Sequence, residues 1–449
     1  MQIMQVIIFT KEYFMKDKKI KIGFLGISLI ASLALAFTAC DRTPEPFTDL
    51  NAITTYLANA SGGTLEKPLI MIVNIPLGDV TNTGSGWQRL LMIIENAGKN
   101  VSIDLSNSQL TGTEFNPVSS VSSGKFFIVS LVLPDTAKSI IGTRGDSSGF
   151  MHFYNLRTVG GKEITSIGRN AFKGCASLVS ADFPLVASIA EDAFHDCTSL
   201  ESVSFPLVTS IGNNAFNNCT SLKEISIPFA TSIGESAFDG CTSMTGISFP
   251  ASASIVQNPF RGSSSLTSFT LTGAGDLGAI ENGKALVRNG TELISYPSAS
   301  GNIVMETVTS IGRSSFNGNT GLSSVSFPAA TSIGIRAFRG CTSLISASFP
   351  AVTSIGLGAF ENTGTTALTV TLGAAAPTVG NSMFELVTGD KPVTVRVPFG
   401  ATGYGQSPVN TGINNWGNRF RGWNANIELT IEYMAEEPKL EEVNPNEAL

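Results

Sequence analysis

The 449-residue chain has only 14% charged residues, 45 Gly and a formal net charge of −7. Its content of Ile, Leu, Val and Phe excludes a disordered chain, and its wealth of Gly, Ser and Thr points to many short strands and turns. An acidic body without a basic stripe excludes nucleic acid as the expected partner.

Residues 1–39 read as an export signal. Lys16, Lys18, Lys19 and Lys21 form a basic segment, and Ile22 to Ala39 is an apolar run with small residues scattered through it. Met15 is the alternative start, since the fourteen residues before it add nothing to a signal. The run ends Ala36-Phe37-Thr38-Ala39-Cys40, followed by Asp41, Arg42, Thr43 and Pro44. This resembles a bacterial lipobox, with Phe37 where Leu is usual. The resemblance implies that Cys40 is lipidated and becomes the mature N-terminus, with 40–46 as a linker. The competing reading is an uncleaved anchor with an incidental Cys, because eighteen apolar residues are just enough to span a bilayer.

Residues 47–125 follow as an α/β block. Its pattern predicts a helix over Asp49–Ala60, a strand over Leu69–Ile75, a helix over Trp87–Ala97 and a strand over Val101–Leu105. Such a block is expected to cover the open end of whatever follows.

The rest is periodic. Phe172, Phe194, Phe216, Phe238 and Phe260 recur every 22 residues; Phe316, Phe338 and Phe360 resume the step, and Phe384 follows. A typical unit runs Leu200, Val203, Phe205, Pro206, Thr209-Ser210-Ile211-Gly212, Ala215-Phe216, Cys219, Leu222. Val203 and Phe205 alternate across Ser204 as in a half-buried strand, and Pro206 ends that strand because it donates nothing to a ladder. Gly212 is expected to allow a tight turn before the return path. One unit buries too little to stand alone, so stacked copies must share a core. The run Thr209–Leu222 resembles the BspA-type leucine-rich repeat of bacterial surface proteins, and it recurs nearly unchanged at Thr231–Met244, Thr331–Leu344 and Thr353–Phe360. The expected fold class is therefore α/β: a leucine-rich-repeat solenoid over 126–398, with one parallel strand per 22-residue coil, an N-terminal α/β cap and a β-rich C-terminal cap. Phe126 to Thr158 reads as a degenerate first coil, with Ile140 in the isoleucine slot.

Residues 273–303 interrupt the array. Two short apolar runs flank Asn289-Gly290, a hairpin signal, so this stretch is expected to project from the edge or replace a coil. Val393–Val397 is the expected last repeat strand. Trp416, Phe420 and Trp423 mark a C-terminal cap over 399–434, and 435–449 reads as a disordered acidic tail.

Motifs for chemistry are few. Cys175, Cys197, Cys219, Cys241 and Cys341 share one slot, which holds Ser263, Asn319 and Thr363 elsewhere. Small size and tolerance of burial explain that set better than disulfides, which stacked parallel side chains form poorly, or than a metal. Gly273 to Gly278 matches a dinucleotide fingerprint in letters, yet no helix follows it. Gly278 to Lys284 imitates a phosphate loop with Ala285 in place of the hydroxyl. His152 and His195 read as isolated surface histidines. No cofactor, metal or catalytic set is expected.

The outward strand slot holds Asp182, Ser204, Ser226, Ser248, Thr270, Ser326 and Ser348. The slot two before it holds Ser180, Ser202, Glu224, Gly246, Ser268, Ser324 and Ser346. These rows form a broad Ser/Thr face suited to another macromolecule, or simply good solvated strand residues. Trp87, Trp416 and Trp423 all lie outside the repeats, which weakens a glycan-stacking reading. The expected protein is a non-enzymatic, monomeric surface protein held in the outer membrane by its lipid, and the resemblance implies adhesion to host matrix proteins or other cells through a protein ligand on host or neighbouring cells. The alternatives are a glycan-binding envelope accessory and a spacer without a ligand.

Overall fold

The computed structural model describes residues 13–15, 18–20, 45–117, 124–142, 149–150, 152–364, 367–379, 383, 393–404 and 429–434. The chain divides into Met1–Glu45 and Pro46–Leu449. In the first unit Tyr13–Met15 pairs antiparallel with Lys18–Ile20. The expected apolar signal run and Cys40 lie outside the described residues, as do Phe384, Trp416, Phe420, Trp423 and 435–449. No described helix is long and apolar enough to cross a membrane.

The second unit is a parallel β-solenoid. Helix α1 (Leu50–Asn59) starts where Asp49 accepts a hydrogen bond from the Ala52 amide at 2.9 Å. Lys99 closes its other end by donating to the carbonyls of Leu57 and Ala60 at 2.5 and 2.7 Å. Helix α2 (Gly86–Ala97) is capped by Ser85, and Gly98 ends it with a left-handed φ of 62°. The strands around α2, Leu69–Ile72 and Val101–Asp104, pair parallel with each other, and the second pairs parallel with Ile128–Val132. The N-terminal block therefore continues the repeat sheet, and α2 is the crossover within it.

Each coil then contributes two strands. The first kind includes Thr158–Gly160, Ser180–Asp182 and Ser202–Ser204, then Glu224–Ser226, Gly246–Pro250 and Ser268–Thr272. The second kind is the pair Ser166–Ile167, Ser188–Ile189, Ser210–Ile211, Ser232–Ile233 and Ser254–Ile255, all in parallel register. This second sheet is absent from the sequence reading, which took Thr-Ser-Ile-Gly as a lead into a turn. The glycine also has a different reason. A Cβ at Gly212 would sit 2.5 Å from the Glu191 amide of the preceding coil, and one at Gly356 would sit 2.6 Å from the Ile335 amide. Close approach between coils, rather than an unusual φ, demands glycine there.

The core is a set of ladders. Trp87 meets Phe115 edge-on at 5.6 Å, Phe115 faces Phe150 at 6.2 Å, and Phe150 stacks on Phe172 at 4.4 Å. Phe194, Phe216, Phe238 and Phe260 continue the column at 5.0 to 5.8 Å, their rings nearly parallel. Phe150 thus fills the phenylalanine slot of the degenerate first coil, and Ile140 pairs with Ile167.

The interruption is a three-stranded meander that joins the second sheet. Leu277–Ile280 pairs antiparallel with Ala285–Arg288, which pairs antiparallel with Glu292–Ser295. Asn289 and Gly290 turn the second hairpin with φ of 49° and 71°. Glu292–Ser295 then pairs parallel with Ser310–Ile311 and starts the second array. Leu286 and Ile294 face the first core, whereas Ala285, Val287 and Leu293 face a second one. Burial on both faces explains why these strands are continuously apolar instead of alternating. The second array runs through Leu322–Ser326, Ser346–Phe349, Leu368–Leu372 and Val393–Val397. Leu429–Tyr433, within the range expected for the C-terminal cap, pairs parallel with Val393–Val397 and extends that sheet by one strand.

Candidate interaction surface

Parallel register sets the geometry of the outward rows. Ser180 lies opposite Ser202, and Asp182 opposite Ser204. Ser226, Ser248 and Thr270 form one unbroken row, as do Glu224, Gly246 and Ser268 beside it. Beyond the meander Ser326 pairs with Ser348 and that with Thr371, which pairs with Arg396. The seven residues singled out in the sequence therefore fall into three registered groups rather than one row. Ser226 and Thr270 are exposed, and Asp182, Ser204, Ser248, Ser326 and Ser348 are half-buried.

The face is not uniform. Ser130 and Ser180, at its N-terminal end, are buried, so Ser180 is not the solvated slot that alternation implied. Thr158 donates to Ser130 there at 2.6 Å. Burial pushes the Asp182 carboxyl above its ordinary value, and a hydrogen bond with Ser204 opposes that shift. Glu224 brings a charge into the second row; nearby, Lys223 pairs with Glu201 at 2.6 Å, and at the C-terminal end Arg396 pairs with Glu432 at 2.9 Å.

The other sequence candidates resolve individually. His195 is not isolated: its Nδ1 lies 3.0 Å from Asp192 and its Nε2 3.4 Å from Asp196. His152 Nδ1 lies 2.9 Å from the Tyr154 hydroxyl. The glycines from 273 to 278 lead into a strand of the meander, with no helix to receive a pyrophosphate. Among the described residues no group of three or more His, Cys, Asp or Glu is placed to hold a metal ion.

The cysteine slot has a specific job. Cys175, Cys197, Cys219, Cys241 and Cys341 are all buried. The thiols of Cys197, Cys219, Cys241 and Cys341 each donate to the carbonyl of the phenylalanine in the preceding coil, at 3.1 to 3.2 Å. Ser263 does the same to Phe238 at 2.7 Å, and Asn319 donates to Tyr296 at 2.8 Å. The shared requirement is a compact hydrogen-bond donor, not small size alone.

A stack of parallel strand pairs with an in-register Phe ladder and a donor ladder is what a 22-residue leucine-rich repeat must build. The family model for the BspA type leucine rich repeat region matches in six copies over residues 147–281 and 300–390. The chain belongs to that family. The gap between the two matched stretches falls on the meander, which replaces a repeat rather than decorating one. Among curated proteins no relative matches the sequence. Similar solved structures include a leucine-rich repeat protein from Bacteroides ovatus, with 18% identity, 82% of this chain and 88% of that one covered, and a TM-score of 0.41. A leucine rich cell surface protein from Faecalibacterium prausnitzii has 21% identity, 67% and 84% coverage, and a TM-score of 0.39. The pneumococcal vaccine antigen PcpA has 14% identity, 83% and 95% coverage, and a TM-score of 0.40. BspA-type repeats make solenoid scaffolds compatible with protein binding.

Proposed function

We propose that this BspA-type protein is a non-enzymatic bacterial surface protein, anchored through a lipid on Cys40, whose solenoid binds a protein ligand outside the cell. The observation that carries the reading is the registered Ser/Thr face. Ser226, Ser248 and Thr270 stand on successive strands beside Glu224, Gly246 and Ser268. Apart from the exposed Glu224, the side chains there are short hydroxyls or, at Gly246, absent, so a partner docks while ordering few rotamers. The same face lacks a paired acid and base, which leaves recognition as its use.

Capture on immobilised extracellular-matrix proteins and on polysaccharides tests the reading. Saturable capture by a protein surface supports it, and capture by polysaccharide alone contradicts it. The anchor is tested separately: Cys40→Ser should abolish lipid labelling and release the protein from the membrane fraction. Retention there would contradict the lipobox assignment.

A further inference from the structure

One part of the solenoid departs from the repeat; there Phe126 meets Phe127 edge-on at 5.4 Å but leaves much of its own ring outside. Phe126 and Tyr154 are 48% and 59% exposed, and their rings lie 6.5 Å apart at 62°. Ser130 pairs with Thr158, Thr158 with Ser180, and Ser180 with Ser202. Four residues before these partners stand Phe126, Tyr154, Ala176 and Thr198. The same column continues as Thr220 and Thr242. Stacking is thus satisfied by Ala or Thr at this position, and the two aromatics add exposed apolar area that the coil does not need.

They are also held in place. His152 Nδ1 lies 2.9 Å from the Tyr154 hydroxyl, and the Asn155 amide donates to the Phe126 carbonyl at 2.9 Å, tying the two coils together. Three residues beyond Tyr154, Arg157 is exposed and makes no salt bridge among the described residues. Its equivalent in a later coil is Glu201, which pairs with Lys223. Four residues after the two aromatics their strands reach the buried end of the strand face, where Ser130 and Ser180 flank Thr158. Rigid aromatics three residues from an exposed guanidinium with no ion pair among the described residues have the composition of an interface anchor, since fixed rings lose little freedom on binding and Arg offers a fork to a carboxylate.

We infer that Phe126, Tyr154 and Arg157 form the anchoring corner of the interaction surface, and that the partner segment it fits is a peptide with an apolar side chain beside a carboxylate. This rests on the protein-binding reading above and names where that binding concentrates. The apolar side chain seats between the two rings, and the carboxylate pairs with Arg157 in a chain that is otherwise net acidic.

A phage-displayed library of random peptides, panned on the purified full-length chain, tests this. Enriched clones should combine an aromatic or large aliphatic residue with Asp or Glu. A synthetic peptide from them should lose roughly tenfold or more in affinity on Phe126→Thr with Tyr154→Thr, and again on Arg157→Glu. These substitutions install the repeat's own residues, and an unchanged thermal melt confirms folding. A second variant, Ser226→Arg with Thr270→Arg, separates the two claims. Loss in that variant alone overturns the corner while keeping the face. Loss in the corner variants alone supports the corner and counts against the face. No enrichment, enriched peptides lacking acidic residues, or capture of polysaccharide that the corner variants abolish each overturns the inference.

Discussion

At the scale of the residue, the donor slot shows how far side-chain chemistry was readable. The interchange of Cys with Ser263, Asn319 and Thr363 was visible in the chain, but the acceptor was not. For the cysteines, Ser263 and Asn319 it is a carbonyl about 25 residues back in another coil, and Thr363 turns instead to the Phe360 carbonyl of its own coil. Cys219→Ser should therefore cost little, whereas Cys219→Val removes the donor to Phe194 and should cost about 1 kcal/mol in chemical denaturation. Equal losses in both would deny the hydrogen bond its role. The thiols also give a pH dependence. Burial pushes the Cys341 thiol from its ordinary 9.0 up to about 12, and pushes Cys197, Cys219 and Cys241 upward as well. A raised thiol pKa means that the unfolded chain ionises first. The stabilising effect is complete below about pH 9 and is lost as pH rises toward the folded value. Melting curves of the native chain and of a variant with Ser at these four positions should coincide near pH 7 and separate above about pH 9, with the native chain losing more. Parallel curves would contradict the burial argument.

At the scale of the element, the 22-residue step and the Val203/Phe205 alternation disclosed the first strand, while the second strand stayed hidden. Ser210–Ile211 is only two residues long and has no period to detect; it exists because identical pairs stack in register. The meander was half legible. Asn289-Gly290 marked one hairpin, but the first strand, Leu277–Ile280, lies in a Gly-rich stretch with little β character. What seals the junction between the arrays was illegible, since it depends on contacts across the meander. Arg288 donates to the Ile255 carbonyl, at the end of the first Ser-Ile ladder, and pairs with Glu292 at 3.0 Å. Asn258 is buried and donates across the junction to the Ser314 carbonyl at 2.8 Å. Asn258→Leu removes this bond and should destabilise by about 1–3 kcal/mol. Urea melts would measure it, and a neutral effect would show that the junction does not depend on that bond.

At the scale of the whole molecule, the stacked repeat was legible from recurrence and the family from the resemblance of its motif, but the division of the core was not. Sequence shows a broken array; only the structure shows that the meander presents Leu286 and Ile294 to one core and Val287 and Leu293 to another. Coils couple to their neighbours, so damage should stay within its own array. Phe216→Ala should cost about 3–5 kcal/mol and lower amide protection across the first array. Hydrogen exchange should leave the strands from Ser310 to Val379 protected, and uniform loss would mean that the two cores unfold as one. The interaction face was legible as a list of slots, whereas the corner at Phe126 and Tyr154 was not, because 28 residues separate rings that register alone brings together. The most direct test of the account is binding by a variant that carries Arg at positions 204, 226 and 248, three outward slots whose side chains do not enter the core. The account predicts an unchanged melt and loss of capture by whichever matrix protein retains the native chain. Undiminished capture by that folded variant would contradict it.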